Sequence, residues 1–205
     1  MQPGVQEFQI DGEAGKLEGL IHAPDDLPRA IAIIAHPLPT QGGTMENKVV
    51  TTLAKTFASL GCVAVRFNFR GTGRSEGKFD DGNGEMLDVE TVARFSLREH
   101  GNLPLILAGF SFGAYVQARA ALQLNPRGMV LVAPAVGRFA MPAVPSGTLV
   151  IHGDRDDVVP LGDVLAWAQP QHLPVVVLAG ADHFFHGYLP TLKEITRSHF
   201  LGIPL

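Results

Sequence analysis

One stretch of the sequence decides the fold: Leu105-Ile-Leu-Ala-Gly-Phe-Ser-Phe-Gly-Ala114. Its first four residues are apolar and predict a buried strand, and the residues from Phe112 onward predict a helix. Between them lies the pattern Gly-x-Ser-x-Gly, with Ser111 at its centre. A Cβ at Gly109 or Gly113 would clash with the closely passing chain, so the pattern predicts a strained turn that exposes Ser111 at the carboxyl edge of a sheet. An ordinary tight turn with an incidental serine is the alternative.

Outward from this turn, β-rich runs alternate with helical patterns, which predicts a mostly parallel sheet with helices on both faces. A hairpin-like pair of strands, residues 5–10 and 16–23, opens the chain. The other predicted strands are residues 30–35, 62–69, 105–108, 129–132, 148–151 and 175–178, and the predicted helices are residues 46–60, 84–100, 112–124, 161–168 and 189–200. Six β-α units are too few for an eight-fold barrel, so we expect a single α/β domain, residues 1–205, with an open doubly wound sheet.

The composition is that of an ordinary soluble protein. Of 205 residues, 46% are hydrophobic and 18% are charged, and the formal net charge is -4. No basic run predicts a nucleic-acid partner, and the apolar runs fall far short of the roughly 20 residues that span a membrane. Cys62 is the single cysteine, so no internal disulfide is possible, and the first residues lack the charged and apolar regions of a secretory signal. We therefore expect a cytoplasmic protein.

Polar residues that could activate Ser111 follow two later strands. A serine hydroxyl needs a general base, and the base needs an orienting acid, in the chain order Ser, Asp or Glu, His. The predicted strand 148–151 leads into three carboxylates, and the predicted strand 175–178 leads into two histidines: Asp154, Asp156, Asp157, His183 and His186. Because the carboxyl ends of parallel strands meet at one edge, we expect one carboxylate and one histidine beside Ser111.

Two further segments carry a resemblance to a known superfamily: His36-Pro-Leu-Pro-Thr-Gln-Gly-Gly-Thr-Met-Glu-Asn-Lys-Val-Val and Arg66-Phe-Asn-Phe-Arg-Gly-Thr-Gly-Arg-Ser. Together with Gly-x-Ser-x-Gly, they make essentially the whole chain resemble the α/β-hydrolase superfamily. The most similar group is that of small bacterial hydrolases related to dienelactone hydrolase-like and esterase families. The resemblance implies the α/β-hydrolase fold and a Ser-His-Asp triad, and it names no substrate.

The resemblance also selects among the candidate residues. The family pattern His-Gly-x-x-Asp-x-x-Val-Pro implies that Asp156 is the triad acid, which leaves Asp154 and Asp157 as loop-capping or solvated carboxylates. The pattern Gly-x-x-His-Phe-Phe implies that His183 is the base. His186 is then expected to be a polar loop residue.

An acyl-transfer site also needs donors aimed at the developing oxyanion. In this fold one donor is the backbone N–H just after the nucleophile, here that of Phe112, and the other comes from the loop after the third strand. That loop begins His36-Pro-Leu-Pro-Thr40, in which the prolines have no N–H. Leu38 and Thr40 remain, and the resemblance selects Leu38. His36 itself is expected to be a structural hydrogen-bonding residue.

Larger members of the superfamily carry a cap domain after the sixth strand. Here residues 137–147 have room for a loop only, so we predict a protein without a cap and with an open cleft. The candidates to line this cleft with apolar surface are Phe110, Phe112, Phe139, Met141, Phe184 and Phe185. The alternative for some of them is packing beneath loops.

Such a site predicts a serine hydrolase, and an open apolar cleft suits short or accessible acyl esters, so a carboxylic-ester hydrolase is the first hypothesis. A thioesterase, acyltransferase, peptidase or perhydrolase with the same triad, or a non-catalytic binding protein, are the alternatives. We expect no cofactor or metal, because Arg70-Gly-Thr-Gly-Arg74 lacks the third glycine of a nucleotide fingerprint and no metal-ligand spacing appears. The expected partner is a small ester-like molecule, and the expected state is a monomer or homodimer.

Overall fold

An eight-stranded sheet organises the part of the chain that the structure describes. The structure is a computed structural model and describes residues 4–202, so the ends of the predicted domain, residues 1–3 and 203–205, lie outside the described residues. The strands are β1 (Val5–Gly12), β2 (Gly15–His22), β3 (Ala30–Ala35), β4 (Cys62–Phe67), β5 (Leu105–Phe110), β6 (Gly128–Val132), β7 (Leu149–Gly153) and β8 (Val175–Leu178). Their order is β1-β2-β4-β3-β5-β6-β7-β8, with β2 antiparallel to β1 and β4 and the remaining pairs parallel.

Helices cover both faces of this sheet, which confirms the predicted doubly wound, mostly parallel architecture. Between residues 4 and 202 the α-helices are α1 (Lys48–Ser59), α2 (Asn83–His100), α3 (Phe112–Leu124), α4 (Leu161–Ala168) and α5 (Leu189–Leu201). Apolar residues of α1 and α5 pack on one face, and those of α2 and α3 pack on the other. No helix in the described range combines the length and apolar character needed to cross a membrane.

The central strands are buried on both sides, as their continuous apolar sequences predict. Every residue of β3, β4 and β5 is buried. Alternate residues of one strand therefore face opposite cores: Ile34 contributes to the α1 and α5 side, whereas Ile33 contributes to the α2 and α3 side. The sheet is thus a rigid base whose carboxyl edge can hold side chains in fixed positions.

The predicted elements are all present, and their ends shift for local reasons. Helix α1 begins two residues later than predicted, because the side chain of Asn47 accepts a hydrogen bond from the Val49 N–H and caps the helix there. Strand β5 continues two residues further than predicted, because Gly109 and Phe110 still pair with β6. The strand therefore runs directly into the turn at Ser111.

Residues 137–147 form a loop without helix or strand beyond one bridge, between Val136 and Phe139. The loop is hydrogen-bonded to helix α4 and to the short turn that follows it. Trp167 Nε1 donates to the Pro142 carbonyl at 3.1 Å, and the Val144 N–H donates to Gln171 Oε1 at 2.9 Å. The predicted absence of a cap after the sixth strand therefore holds.

The turn at Ser111 is strained and closely packed. Ser111 has φ 55° and ψ -116°, a left-handed conformation that non-glycine residues rarely adopt. A Cβ at Gly109 would overlap the backbone of Gly113, and a Cβ at Gly113 would overlap the carbonyls of Ala35 and His36. The flanking glycines are therefore required by contact with neighbouring backbone, as the sequence pattern predicts.

Gly113→Ala should lower the free energy of unfolding by about 1–3 kcal/mol, the usual result of forcing extra atoms into closely packed structure. The matched control is Gly162→Ala, because Gly162 is exposed in helix α4 and has no atom within 4 Å of an added Cβ. This control should gain about 0.5–1 kcal/mol from better helix propensity. Urea unfolding measures the stability of both variants, and equal stabilities would contradict the packing argument.

Candidate active site

Three side chains meet at the carboxyl edge of the sheet: Ser111 after β5, Asp156 after β7 and His183 after β8. Ser111 Oγ lies 3.1 Å from His183 Nε2, and His183 Nδ1 lies 2.7 Å from Asp156 Oδ2. A carboxylate can only accept, so His183 Nδ1–H donates to Asp156 and Nε2 is left to accept the Ser111 hydroxyl proton. The arrangement can therefore move a proton from Ser111 to His183 while Asp156 holds the ring.

Asp156 is fixed as a carboxylate by its surroundings. Its Oδ1 accepts hydrogen bonds from the N–H groups of Val158 at 2.9 Å and Val159 at 2.8 Å. Burial alone would raise the pKa of Asp156, but the hydrogen bonds from His183 and from these two N–H groups hold it below its ordinary value. The group is therefore charged at neutral pH, as the orienting acid of such a chain must be.

The other predicted carboxylates and the second histidine lie in supporting positions. Asp154 accepts a hydrogen bond from the Gly180 N–H and so ties the loop after β7 to the loop after β8. Asp157 is exposed. His186 pairs with Asp182, with 2.6 Å between Nδ1 and Oδ2, on the exposed surface. Of the candidates left open by the residues alone, the structure brings Asp156 and His183 to Ser111.

A tight turn after β3 places Leu38 beside Ser111. The N–H groups of Gln41 and Gly43 both donate to the Leu38 carbonyl, and a Cβ at Gly43 would overlap the Pro37 carbonyl. Within residues 4–202, the N–H groups of Leu38 and Phe112 have no hydrogen-bond acceptor. Both N–H groups are thus donors without a partner in the described part of the chain, and Leu38 lines the cleft at Ser111. Thr40, the alternative donor, is exposed and does not line the cleft.

His36 supports this turn from below. Its Nδ1 donates to the Pro37 carbonyl at 2.7 Å, and its Nε2 accepts the Phe69 N–H at 3.1 Å. The ring is fully buried, and burial lowers the pKa of His36 to about 4, although the hydrogen bond to the Pro37 carbonyl acts in the opposite direction. His36 is therefore neutral at physiological pH, and both of its nitrogens are used to hold the backbone.

His152, the penultimate residue of β7, is a contact of Asp156 that the sequence argument used only as part of a pattern. Its Nε2–H donates to the Val159 carbonyl at 2.9 Å and lies 3.6 Å from Asp156 Oδ2. Since the Val159 N–H donates to Asp156 Oδ1, Val159 is hydrogen-bonded to both His152 and Asp156 and links the two side chains. His152 is fully buried, and burial lowers its pKa, so its ring is neutral. The only signal in the sequence was an imidazole at the end of a buried strand, four residues before the acid.

The small cleft at Ser111 has a volume of about 110 Å³. Its walls are Pro37, Leu38, Gln41, Gly42, Gly43, Asn47, Ser111, Val158, His183 and Phe184. A larger hollow of about 910 Å³ lies at the opposite edge of the sheet, where the strands begin, and holds none of the three side chains described above. The smaller cleft is the candidate substrate site, because Ser111, His183 and Leu38 converge there.

The cleft contradicts most of the predicted apolar lining. Of the predicted residues only Phe184, which is 48% exposed, lies on its wall. Phe110 is fully buried with its ring 5.1 Å from that of His183, and Phe139 stacks on Tyr115 at 4.8 Å. Met141 packs on the side of the sheet that α2 and α3 cover. Phe112 and Phe185 are also fully buried.

These predictions were wrong because the sequence does not show in which direction each side chain points. The residues on either side of Ser111 point into opposite cores, Phe110 toward α1 and α5 and Phe112 toward α2 and α3. The loop with Phe139 and Met141 runs along the domain instead of over the cleft. The wall residues that sequence reasoning missed include Asn47, which caps α1 although it falls inside the predicted helix 46–60, and Val158, which lies in the loop after β7.

An eight-stranded sheet of this order, with Ser, Asp and His at its carboxyl edge and no cap, defines a lidless α/β serine hydrolase. The family model described as Serine aminopeptidase, S33 matches residues 27–145. This match covers more than half of the chain, and the chain belongs to that family of α/β hydrolases. The predicted membership of the superfamily is thereby confirmed.

Similar proteins extend the likeness to the whole chain. Uncharacterized protein RP471 of Rickettsia prowazekii (strain Madrid E) is 31% identical over 224 residues, covering 97% of this chain and 90% of that protein. XC6422 of Xanthomonas campestris, described as a member of the a/b serine hydrolases without lid, is 37% identical with a TM-score of 0.94, covering 100% and 98% of the two chains. An alpha-beta serine hydrolase homologue from Coxiella burnetii is 42% identical with a TM-score of 0.85, covering 94% and 96%. The small lidless bacterial group predicted from the sequence is therefore the group that this chain resembles in structure.

His36 should make stability depend on pH. Its pKa is about 4 in the folded protein and 6.5 ordinarily, so the unfolded chain takes up the proton more readily and stability falls as pH falls from about 6.5 toward 4. At pH 5 the loss from this residue is on the order of 2 kcal/mol. The His36→Gln protein has no titrating group at this position, so its free energy of unfolding should fall correspondingly less between pH 7.5 and pH 5. Urea unfolding at both pH values tests this, and an equal loss in both proteins would contradict it.

His152→Phe should slow the reaction of Ser111 with a fluorophosphonate roughly 10- to 100-fold, because misplacement of the acid carries through to the base. His152→Gln keeps a side-chain N–H that can reach the Val159 carbonyl, so it should recover much of the rate. Labelling rates and urea midpoints are measured on both variants. If the two variants had the same stability and the same labelling rate, or if their rates differed only as their urea midpoints do, the positioning of Asp156 by His152 would be refuted.

Proposed function

We propose that this protein is a carboxylic-ester hydrolase that acts through an acyl-enzyme on Ser111. The observation that carries the proposal is the continuous hydrogen-bond chain from Ser111 Oγ through His183 to Asp156, at 3.1 Å and 2.7 Å. The Ser111 end of this chain opens into a cleft that Leu38 lines. The nucleophile, the base and the oxyanion donors that ester hydrolysis requires are thus all supplied by this chain.

In the first half of the proposed reaction, Ser111 Oγ attacks the ester carbonyl carbon and its proton passes to His183 Nε2. The carbonyl oxygen becomes an oxyanion and accepts hydrogen bonds from the N–H groups of Leu38 and Phe112. Collapse of this intermediate breaks the bond to the alcohol oxygen, which takes the proton from His183 Nε2. The acyl group remains on Ser111.

In the second half, water replaces the alcohol. His183 Nε2 accepts a proton from the attacking water, the same two N–H groups bind the second oxyanion, and the proton returns to Ser111 Oγ as the acid leaves. Asp156 remains a carboxylate throughout and stabilises the charged imidazole of His183. The lowered pKa of Asp156 supports this role, because a carboxylate that protonated near neutral pH could not keep the ring oriented.

The family description suggests an aminopeptidase as a second candidate. Such an enzyme must bind the α-ammonium group of its substrate, and this usually requires a carboxylate in the cleft. Among the described residues that line the cleft, none is Asp or Glu, and Asp156 is committed to His183. The site therefore favours an uncharged ester. Comparing aminoacyl naphthylamides with naphthyl esters of matched acyl groups distinguishes the two activities.

Ser111→Ala should lower kcat for short p-nitrophenyl esters by a factor on the order of 10⁶ and abolish labelling by a fluorophosphonate. Ser146→Ala is the matched control, since Ser146 is an exposed serine at the opposite edge of the sheet and should keep wild-type rates. Release of p-nitrophenol and the mass of the labelled peptide are the measurements. Ester hydrolysis that persisted in Ser111→Ala would rule out the proposal.

A further inference from the structure

Asn47 forms part of the cleft wall, at the start of helix α1. It is one of two amide side chains there, together with Gln41. Gln41 is exposed, whereas Asn47 is half-buried and held in place by several hydrogen bonds. Of these two amide side chains, Asn47 is therefore the one whose orientation is fixed before a substrate binds.

The hydrogen bonds of Asn47 leave a single group free. Its Oδ1 accepts from the Val49 N–H at 2.8 Å, its N–H donates to the Thr44 carbonyl at 3.1 Å, and its carbonyl accepts from the Thr51 N–H at 2.9 Å. Only the amide Nδ2 remains, and within residues 4–202 it has no hydrogen-bond acceptor. An amide nitrogen can only donate, so the group that it binds must be an acceptor.

The charge of the cleft narrows the identity of that acceptor. Among the described residues that line the cleft, His183 is the single titratable one, and it is bound to Asp156 and Ser111. No Lys or Arg side chain stands among these walls to neutralise a carboxylate or phosphate. The acceptor that fits is therefore an uncharged oxygen. The volume of about 110 Å³ is small, so the part of the substrate that binds there is short.

We infer that Asn47 Nδ2 donates a hydrogen bond to an uncharged oxygen of the substrate. The preferred substrates are then esters in which a short acyl or alcohol part carries an ether, keto or hydroxyl oxygen near the scissile bond. This inference rests on the proposed ester hydrolysis and adds the chemical class of the substrate. Asn47 acts as a specificity residue, because its donor discriminates between an oxygenated chain and a hydrocarbon chain of the same size.

The test uses pairs of esters that differ by one oxygen in place of a methylene. The acyl arm compares p-nitrophenyl methoxyacetate with p-nitrophenyl butyrate, and the alcohol arm compares 2-methoxyethyl acetate with butyl acetate. For each arm the ratio of kcat/KM between the oxygenated and the hydrocarbon ester is measured in wild type and variants. Comparing these ratios between proteins removes the intrinsic reactivity of each ester.

Two substitutions at Asn47 keep the helix cap and change the donor. Asn47→Ser retains a hydroxyl that can cap α1 but cannot place an amide N–H in the cleft. Asn47→Asp retains the capping oxygen and replaces Nδ2 with an acceptor. The control is Asn102→Ser, since Asn102 is exposed at the opposite edge of the sheet. Urea midpoints establish that all three variants are folded.

Asn47→Ser should lower the kcat/KM ratio of the oxygenated to the hydrocarbon ester about three- to tenfold in one of the two arms, which is the usual effect of one neutral hydrogen bond. The arm that responds shows whether the acyl or the alcohol part of the substrate carries the oxygen. Asn47→Asp should lower the ratio at least as far, because its carboxylate faces an ether oxygen, and Asn102→Ser should leave it at the wild-type value. If the wild type cleaves esters but both Asn47 variants keep its ratios in both arms, the inference about Asn47 is overturned and the proposed function is not. A wild-type protein that cleaves no ester would overturn the proposed function, and the inference with it.

Discussion

The contact between the start of helix α3 and the end of strand β3 is the constraint on which the rest of the site depends. Gly113 lies so close to the carbonyls of Ala35 and His36 that no side chain fits between them. The turn that holds Ser111 is therefore placed directly beside the loop that begins at His36, and Ser111 and Leu38 line one cleft. The strained backbone of Ser111 is held by its N–H bond to the Val132 carbonyl and by packing of its neighbours into both cores.

The loop between β3 and α1 is fixed at its far end as well. The Met45 N–H donates to Asn68 Oδ1 at 2.9 Å, and the Met45 carbonyl accepts from Arg66 Nη1 at 2.8 Å. Arg66 Nε in turn donates to His22 Nε2 at 3.0 Å, and burial followed by the Arg66 charge lowers the pKa of His22 to about 4. His36 at one end and Arg66 with Asn68 at the other thus support the segment that carries Leu38 and Asn47. Preorganised donors need such support, because they are effective only when the backbone does not move to meet the substrate.

The sequence predicted the fold and the convergence of three side chains because both depend on strand ends. A parallel sheet brings its carboxyl ends to one edge, so Ser111 after β5 could be placed beside one of the carboxylates after β7 and one of the histidines after β8. The choice of Asp156 and His183 among them came from the family resemblance. The cleft walls could not be predicted in the same way. Phe110 and Phe184 are both aromatic and close to the site in sequence, yet one is fully buried and the other is 48% exposed. That difference depends on side-chain direction and loop path, which local patterns do not encode.

The loop of residues 137–147 is attached to Trp167 of helix α4 and to Gln171 just after that helix, so within residues 4–202 it leaves the mouth of the cleft open. In enzymes with closing lids, closure excludes water and adds a conformational step to each turnover. In the proposed mechanism an acyl group on Ser111 would instead face bulk solvent from the moment it forms. Water is then the acceptor in constant supply, and any other alcohol competes only if the cleft binds it. In the proposed mechanism the open mouth would thus favour hydrolysis over transfer through the supply of acceptor alone.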